Sequence, residues 1–187
     1  MRICNLKFKN LKSLKGEFFI DFEAEDYRNN GIFVLSGNTG SGKSTILEAI
    51  TFALYMTTAS LKGIDNFYDV IMSRGTGNCY SEVVFEVKGV RYKASVLVRK
   101  ARNKPEGVIQ PAVVSLVNLT EQKEIACKVN EYKKAVVDIT TLTYEQFAIS
   151  VVLSQGKFDQ FLLASEKDKS GILECITNTE IYSKVGM

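Results

Sequence analysis

The sequence predicts an α/β fold with a mixed sheet, an added antiparallel β-layer and a helical C-terminal part. Three observations predict it. A short apolar run, a glycine-rich loop and an amphipathic helix follow one another over residues 31–55, the order strand, phosphate-binding turn, helix. Three strand-like runs then follow over residues 81–119, and the last third changes to helical spacing. A nucleotide fold of alternating strands and helices would not open with a hairpin or carry so long a β block after its first helix.

Taken in order, residues 3–9 and 17–23 alternate apolar and polar side chains and read as two strands joined by a turn near Gly16. A polar loop over 26–31 precedes the buried strand Gly31-Ile32-Phe33-Val34-Leu35-Ser36, and the following helix extends to about Tyr55. Residues 57–76 are rich in Gly, Ser and Asn, without clear periodicity. Strands are expected over 81–88, 90–99 and 112–119, with Lys88-Gly89 as a tight hairpin turn and the basic stretch 100–111, which holds both prolines, as an exposed tip. Residues 129–137, 144–149 and 160–163 suit helix, and Ser165-Glu166-Lys167-Asp168 offers a capping box before another.

Composition narrows the function. The 187 residues are 45% hydrophobic and 24% charged, ordinary values for a globular domain. No apolar run approaches the ~20 residues of a membrane helix. The N-terminus alternates like a strand and lacks a signal-peptide core, so a cytoplasmic protein is expected. There is no histidine, and the four cysteines (Cys4, Cys79, Cys127 and Cys175) form no C-x-x-C pair. That argues against a zinc site, a disulfide framework and histidine-based catalysis within the chain. The net charge of +3 permits nucleic-acid binding without demonstrating it.

The chemistry sits in Gly37-Asn38-Thr39-Gly40-Ser41-Gly42-Lys43-Ser44, which fits G-x-x-x-x-G-K-[ST]. Glycines at 37, 40 and 42 let the loop turn successive N–H groups toward phosphate oxygens. The helix behind adds its positive dipole end. Lys43 is expected to reach the β- and γ-phosphates and Ser44 to ligate Mg²⁺, with Thr45 completing the binding stretch. This makes the chain a P-loop NTPase candidate that binds a nucleoside triphosphate. A complete P-loop ATPase also needs an apolar strand ending in Asp to hold Mg²⁺. Ala135-Val136-Val137-Asp138 is the nearest stretch, and its spacing reads as amphipathic helix. Val151-Val152-Leu153-Ser154-Gln155 is an apolar run ending in a glutamine, whose amide can accept from water and donate to an oxyanion at once. Arg99, Lys100, Arg102 and Lys104 form the densest basic run. It is equally a solvated tip or a contact for the phosphate backbone of DNA.

With these motifs in hand, the chain resembles the N-terminal lobe of SbcC-type ATPases, which are SMC-like, ABC-class proteins of DNA double-strand-break repair. The resemblance runs essentially end to end. It rests on Asn10-Leu11-Lys12-Ser13-Leu14-Lys15-Gly16 with Ile20-Asp21-Phe22, on the glycine loop continuing into Ile46-Leu47-Glu48-Ala49-Ile50, on Phe85-Glu86-Val87-Lys88-Gly89 and Ala101-Arg102-Asn103-Lys104-Pro105-Glu106-Gly107, and most specifically on Leu153-Ser154-Gln155-Gly156-Lys157-Phe158 with Thr179-Glu180-Ile181-Tyr182.

The resemblance implies an ABC-type head lobe over residues 1–187, with a coiled-coil helix starting at about 178–187. It implies Lys43 and Gln155 as catalytic residues, Ser44 and Gln155 at Mg²⁺, and Lys12 and Ser13 near the nucleotide phosphates. It also implies that signature, Walker B and switch histidine lie in a separate C-terminal lobe. Two heads would sandwich ATP and regulate a partner SbcD-type nuclease on double-stranded DNA, and the isolated chain would be incomplete. The chain departs from the family at Asp168-Lys169, Gly171 and Asn178, all in the helix leading to the coil. Two other classes stay open on the residues alone: a self-sufficient P-loop enzyme of the small-molecule kinase type, and a non-catalytic nucleotide-dependent interaction module.

Overall fold

Strands with one apolar and one charged face need a layer of helix on one side only, and the chain supplies it. The computed structural model describes residues 1–28, 35–58, 60–61 and 67–150. The first four residues of the expected loop strand, the glutamine Gln155, the helices expected over 160–163 and after Ser165, and the coiled-coil start at 178–187 lie outside the described residues. The chain divides into two compact units, Met1–Thr140 and Thr141–Met187.

In the first unit, β1 (Arg2–Leu11), β2 (Leu14–Asp21), β3 (Asn78–Val87), β4 (Val90–Arg99), β5 (Val113–Asn118) and β6 (Lys123–Ala126) form one sheet in the order β2-β1-β3-β4-β5-β6. Every described pairing is antiparallel. The pleat sends Cys4, Leu6 and Phe8 of β1, Val83 and Phe85 of β3, Ala94, Val96 and Val98 of β4, and Val114 and Leu116 of β5 into the core. The opposite face carries charge ladders: Lys9 with Glu17, and Glu23 and Glu86 shared by Arg2 and Arg91. Phe8 stacks on Phe18 directly across from it, ring centroids 5.0 Å apart.

Two short helices, α1 (Glu25–Arg28) and α3 (Phe67–Ile71), flank α2 (Lys43–Tyr55), which lies on the buried sheet face together with α4 (Val129–Thr140). Buried Ser81 of β3 donates to the Ala49 carbonyl at 2.7 Å, fixing α2 on the sheet. Tyr132, Val136 and Thr140 recur every four residues as the buried stripe of α4. The Tyr132 hydroxyl donates to the Ala53 carbonyl of α2, and the Tyr55 hydroxyl lies 3.4 Å from Thr140 Oγ1. Burial raises the pKa of Tyr55 to about 12 and that of Cys79 to about 12.

In the second unit, α5 (Tyr144–Ser150) opens with a reciprocal cap. The Thr143 N–H donates to Gln146 Oε1 at 2.7 Å, and the Gln146 N–H donates to Thr143 Oγ1 at 3.3 Å.

The structure differs from the sequence reading in three places. The first hairpin turns at Lys12-Ser13, not at Gly16. Asn10 and Lys12 take the left-handed conformation there, and the Gly16 N–H donates to Asn10 Oδ1 at 2.9 Å, so the glycine marks an irregularity within β2 rather than its start. α3 sits in the stretch without periodicity, being too short to show one. β6 is a four-residue edge strand, two of its residues charged, held by β5 rather than by its own pattern. The segment Ala135–Asp138 is helix within α4, as its spacing reads, and not a Walker B strand, the apolar strand ending in Asp. The Lys88-Gly89 turn is as read, with both residues at positive φ between paired Val87 and Val90.

Candidate nucleotide-binding site

The glycine loop ends where α2 begins. Gly42 occupies the N-cap position at φ 92°, and no side chain caps the helix. The first turn holds no acidic residue, so no carboxylate of that turn offsets the positive end of the helix dipole. The Ser41 N–H closes a turn on the Asn38 carbonyl at 3.1 Å, and the Thr45 N–H reaches back to the Gly42 carbonyl at 2.9 Å. The amides of Lys43 and Ser44 have no acceptor among the described residues. The Lys43 ammonium folds over its own loop and donates to the Gly37 carbonyl at 2.5 Å and the Asn38 carbonyl at 2.8 Å. Residues 36–41 and Ser44 are exposed, while Thr45 is buried. Amides without an acceptor and an ammonium held only by neutral carbonyls among the described residues, at the positive end of a helix dipole, suit an anion with several oxygens. Ser44 presents an exposed hydroxyl beside them, the donor type that suits Mg²⁺.

The β1–β2 turn abuts this loop. A Cβ added to Gly42 would lie 2.7 Å from Leu14 Cδ2, so only glycine lets the turn approach so closely. Lys12 lies against α2 one turn further on, its Nζ 2.6 Å from each Glu48 carboxylate oxygen and also donating to Ser60 Oγ. Ser13 is exposed at the tip. The turn is braced from behind, because the Lys12 N–H donates to the Ile71 carbonyl at 2.7 Å and Ser73 Oγ to the Leu14 carbonyl at 3.2 Å. Lys12 and Ser13 are therefore brought beside the loop, with the Lys12 charge paired. Gln155 lies outside the described residues.

The basic run divides. Lys100 is 16% exposed and pairs with Asp69 of α3 at 2.7 Å, while also donating to the Pro105 carbonyl at 2.8 Å. Arg99, Arg102 and Lys104 face solvent. The tip between β4 and β5 folds back on Gly77, where a Cβ would lie 1.9 Å from the Asn103 carbonyl oxygen. Three cavities run in a row from the first hairpin to this tip. One of about 680 Å³ is lined by Lys12, Lys15 and Arg74, one of about 280 Å³ by Arg74 and Lys100, and one of about 310 Å³ by Arg99 and Arg102. Sequence reasoning missed Lys15 and Arg74, which stand far apart in the chain, and Glu48, whose only signal was its place four residues after Ser44.

Comparison with known proteins decides the family. A family described as an AAA domain matches residues 5–184. The chain belongs to that family. Within it, the resemblance to SbcC-type proteins is borne out. The chain is 35% identical to the SbcC subunit of the SbcCD nuclease of Pseudomonas aeruginosa, over 99% of this chain and 17% of that protein. It is 33% identical to the corresponding Rhodobacter capsulatus protein, over 100% and 16%. A probable DNA double-strand break repair ATPase of Aquifex aeolicus is 30% identical over 97% and 17%. The chain thus spans about one sixth of the length of these relatives. A solved structure from work on ATP-driven dimerization and DNA-stimulated activation of SMC ATPases superposes with a TM-score of 0.59 at 18% identity. It covers 94% of this AAA-family chain and 99% of that one, and shows that the fold is that of a P-loop, ABC-type head lobe.

Proposed function

We propose that this chain is the ATP-binding lobe of an SbcC-like ATPase head, a single lobe over residues 1–187. The observation that carries this is the glycine loop at the start of α2, where no side chain caps the helix, with the Lys43 ammonium resting on the neutral carbonyls of Gly37 and Asn38, in a chain that matches SbcC-type proteins along its length. Residues 37–45 bind the phosphates of ATP, Lys43 neutralises charge on the β- and γ-phosphates, and Ser44 holds Mg²⁺ with Gln155. Lys12 and Ser13 border the phosphates. The coiled coil begins at about 178–187.

The partners of this reading are the chain's own C-terminal lobe, which completes the catalytic set, a second copy in an ATP-dependent head dimer, an SbcD-type nuclease, and double-stranded DNA. The setting is the cytoplasm, with no membrane partner. Among the described residues no helix is long and apolar enough to cross a membrane. Hydrolysis drives head engagement and regulates the nuclease at DNA ends during double-strand-break repair, and the chain alone is inactive or nearly so. Arg99, Arg102 and Lys104, exposed on a tip beside a row of basic cavities, supply sequence-independent phosphate contacts to DNA, and Lys100 holds that tip in place.

The test is ATP-dependent association of heads assembled from this chain and its C-terminal lobe. Association that needs Mg-ATP and is abolished by Lys43→Ala is expected. Unchanged association of the Lys43→Ala protein contradicts the assignment.

A further inference from the structure

The turn between β1 and β2 touches the nucleotide loop's helix at two points, and they differ in kind. At Gly42 the contact is apolar and fixed, with Leu14 packed where a side chain would otherwise stand. At Glu48 it is an ion pair that can exchange. Lys12 Nζ sits 2.6 Å from both carboxylate oxygens. Ser60 Oγ closes a triangle, accepting from Lys12 and donating to Glu48 at 2.6 Å, and Thr58 Oγ1 lies 3.1 Å behind Ser60. All three groups are satisfied by one another.

Glu48 serves no helix-capping purpose, because it lies in the second turn of α2, beyond the reach of the N-terminal dipole charge. It stands four residues after Ser44, on the same helix face and about 6 Å along the axis. The pair is partly open to water, at 24% side-chain exposure for Lys12 and 16% for Glu48. A four-carbon stem lets an ammonium at that place re-aim by rotamer changes alone.

We propose that Glu48 is a positioning residue that holds the Lys12 ammonium against α2 and releases it to the phosphates when a nucleotide binds. This rests on the nucleotide-binding reading above. A phosphate chain offers the ammonium more negative charge than one carboxylate, so filling the loop draws Lys12 off Glu48 and Ser60. The stowed pair therefore sets a cost on nucleotide binding and competes with any other anion for the same ammonium. Because Leu14 stays packed on Gly42, the transfer moves one side chain and leaves the backbone turn in place.

The experiment is calorimetric titration of the 187-residue chain with Mg-ATP, for wild type, Glu48→Gln, Lys12→Met, the double variant and Lys43→Ala. Removing the carboxylate is expected to tighten Mg-ATP binding by about fivefold, the scale of a partly exposed ion pair. Lys12→Met is expected to weaken binding by about fivefold more in the Glu48→Gln background than in wild type, since without Glu48 the ammonium gives its whole attraction to phosphate. Ser60→Ala, at an exposed position, loosens the triangle from the other side and is expected to tighten binding about twofold. A merely structural strut would lower thermal stability in each variant while leaving Mg-ATP affinity unmoved. Unchanged or weaker binding by both Glu48→Gln and Ser60→Ala, or an equal cost of Lys12→Met in the two backgrounds, overturns the proposal while leaving the site assignment standing. No binding by wild type, or equal binding by Lys43→Ala, overturns the site assignment and this proposal with it.

Discussion

Lys43 and Lys100 are both folded back onto the carbonyls of their own loops, yet only one of them keeps its charge available. Lys43 donates to Gly37 and Asn38 and meets no carboxylate among the described residues. Lys100 donates to Pro105 in the same manner, and also pairs with Asp69 at 2.7 Å in a largely buried position. Neutral carbonyls are weak competitors for an ammonium, whereas a carboxylate compensates it. The glycine loop therefore presents a positive charge to any incoming anion, while the tip between β4 and β5 uses one of its charges to fold itself and leaves Arg99, Arg102 and Lys104 outside. Lys12 falls between these cases, paired with Glu48 but partly open to water.

The largest effect that sharpens this contrast is on nucleotide affinity. Lys43→Ala should weaken Mg-ATP binding by on the order of 100-fold, from the loss of charge-assisted bonds worth about 1.5–3 kcal/mol each, whereas Lys100→Met should leave it unchanged. Titration calorimetry reads both, and equal losses in the two variants would break the comparison. Next is Gly42→Ala. It places a methyl against Leu14 at a backbone φ of 92°, and should cost about 2–3 kcal/mol in thermal or denaturant unfolding.

A smaller and opposite pair of effects separates the tip's own residues. Lys100→Met should cost about 1 kcal/mol of stability by freeing α3 from the tip. Arg102→Ser should leave stability unchanged and lower the salt slope of double-stranded DNA binding by about one. DNA affinity measured across a salt series, alongside unfolding curves, tells the two apart. The smallest effect near neutrality is that of pH. Burial raises the pKa of Cys79 and Tyr55 to about 12 in the folded state. The folded protein therefore holds these protons where the unfolded chain releases them, so their contribution is complete below about pH 9 and is lost as pH rises toward 12. Stability from these groups should be flat between pH 6 and 8 and fall from about pH 9. A rise in stability over pH 9–12 would contradict their burial.

The sequence was most legible where local chemistry determines structure. The glycine loop, its helix, the Lys88-Gly89 turn and the long alternating strands each carry their signal in adjacent residues. It was least legible where a distant partner decides. Gly16 looks like a turn residue and is held within β2 by Asn10. Lys100 looks like part of a basic patch until Asp69, far away in the chain, is brought beside it. Lys123-Glu124-Ile125-Ala126, only four residues long, becomes β6 because β5 presents an edge. The same limit applied at the candidate site. Lys43 and Ser44 were readable from the motif, while the pairing of Lys12 with Glu48 and Ser60 depends on the fold.

The most direct test of the account is Mg-ATP hydrolysis by this chain alone and after mixing with the C-terminal lobe from the same gene. The account predicts turnover only in the mixture, abolished by Lys43→Ala. Sustained turnover by the chain alone would contradict it, because that requires a metal-holding carboxylate and a water-activating group within these 187 residues.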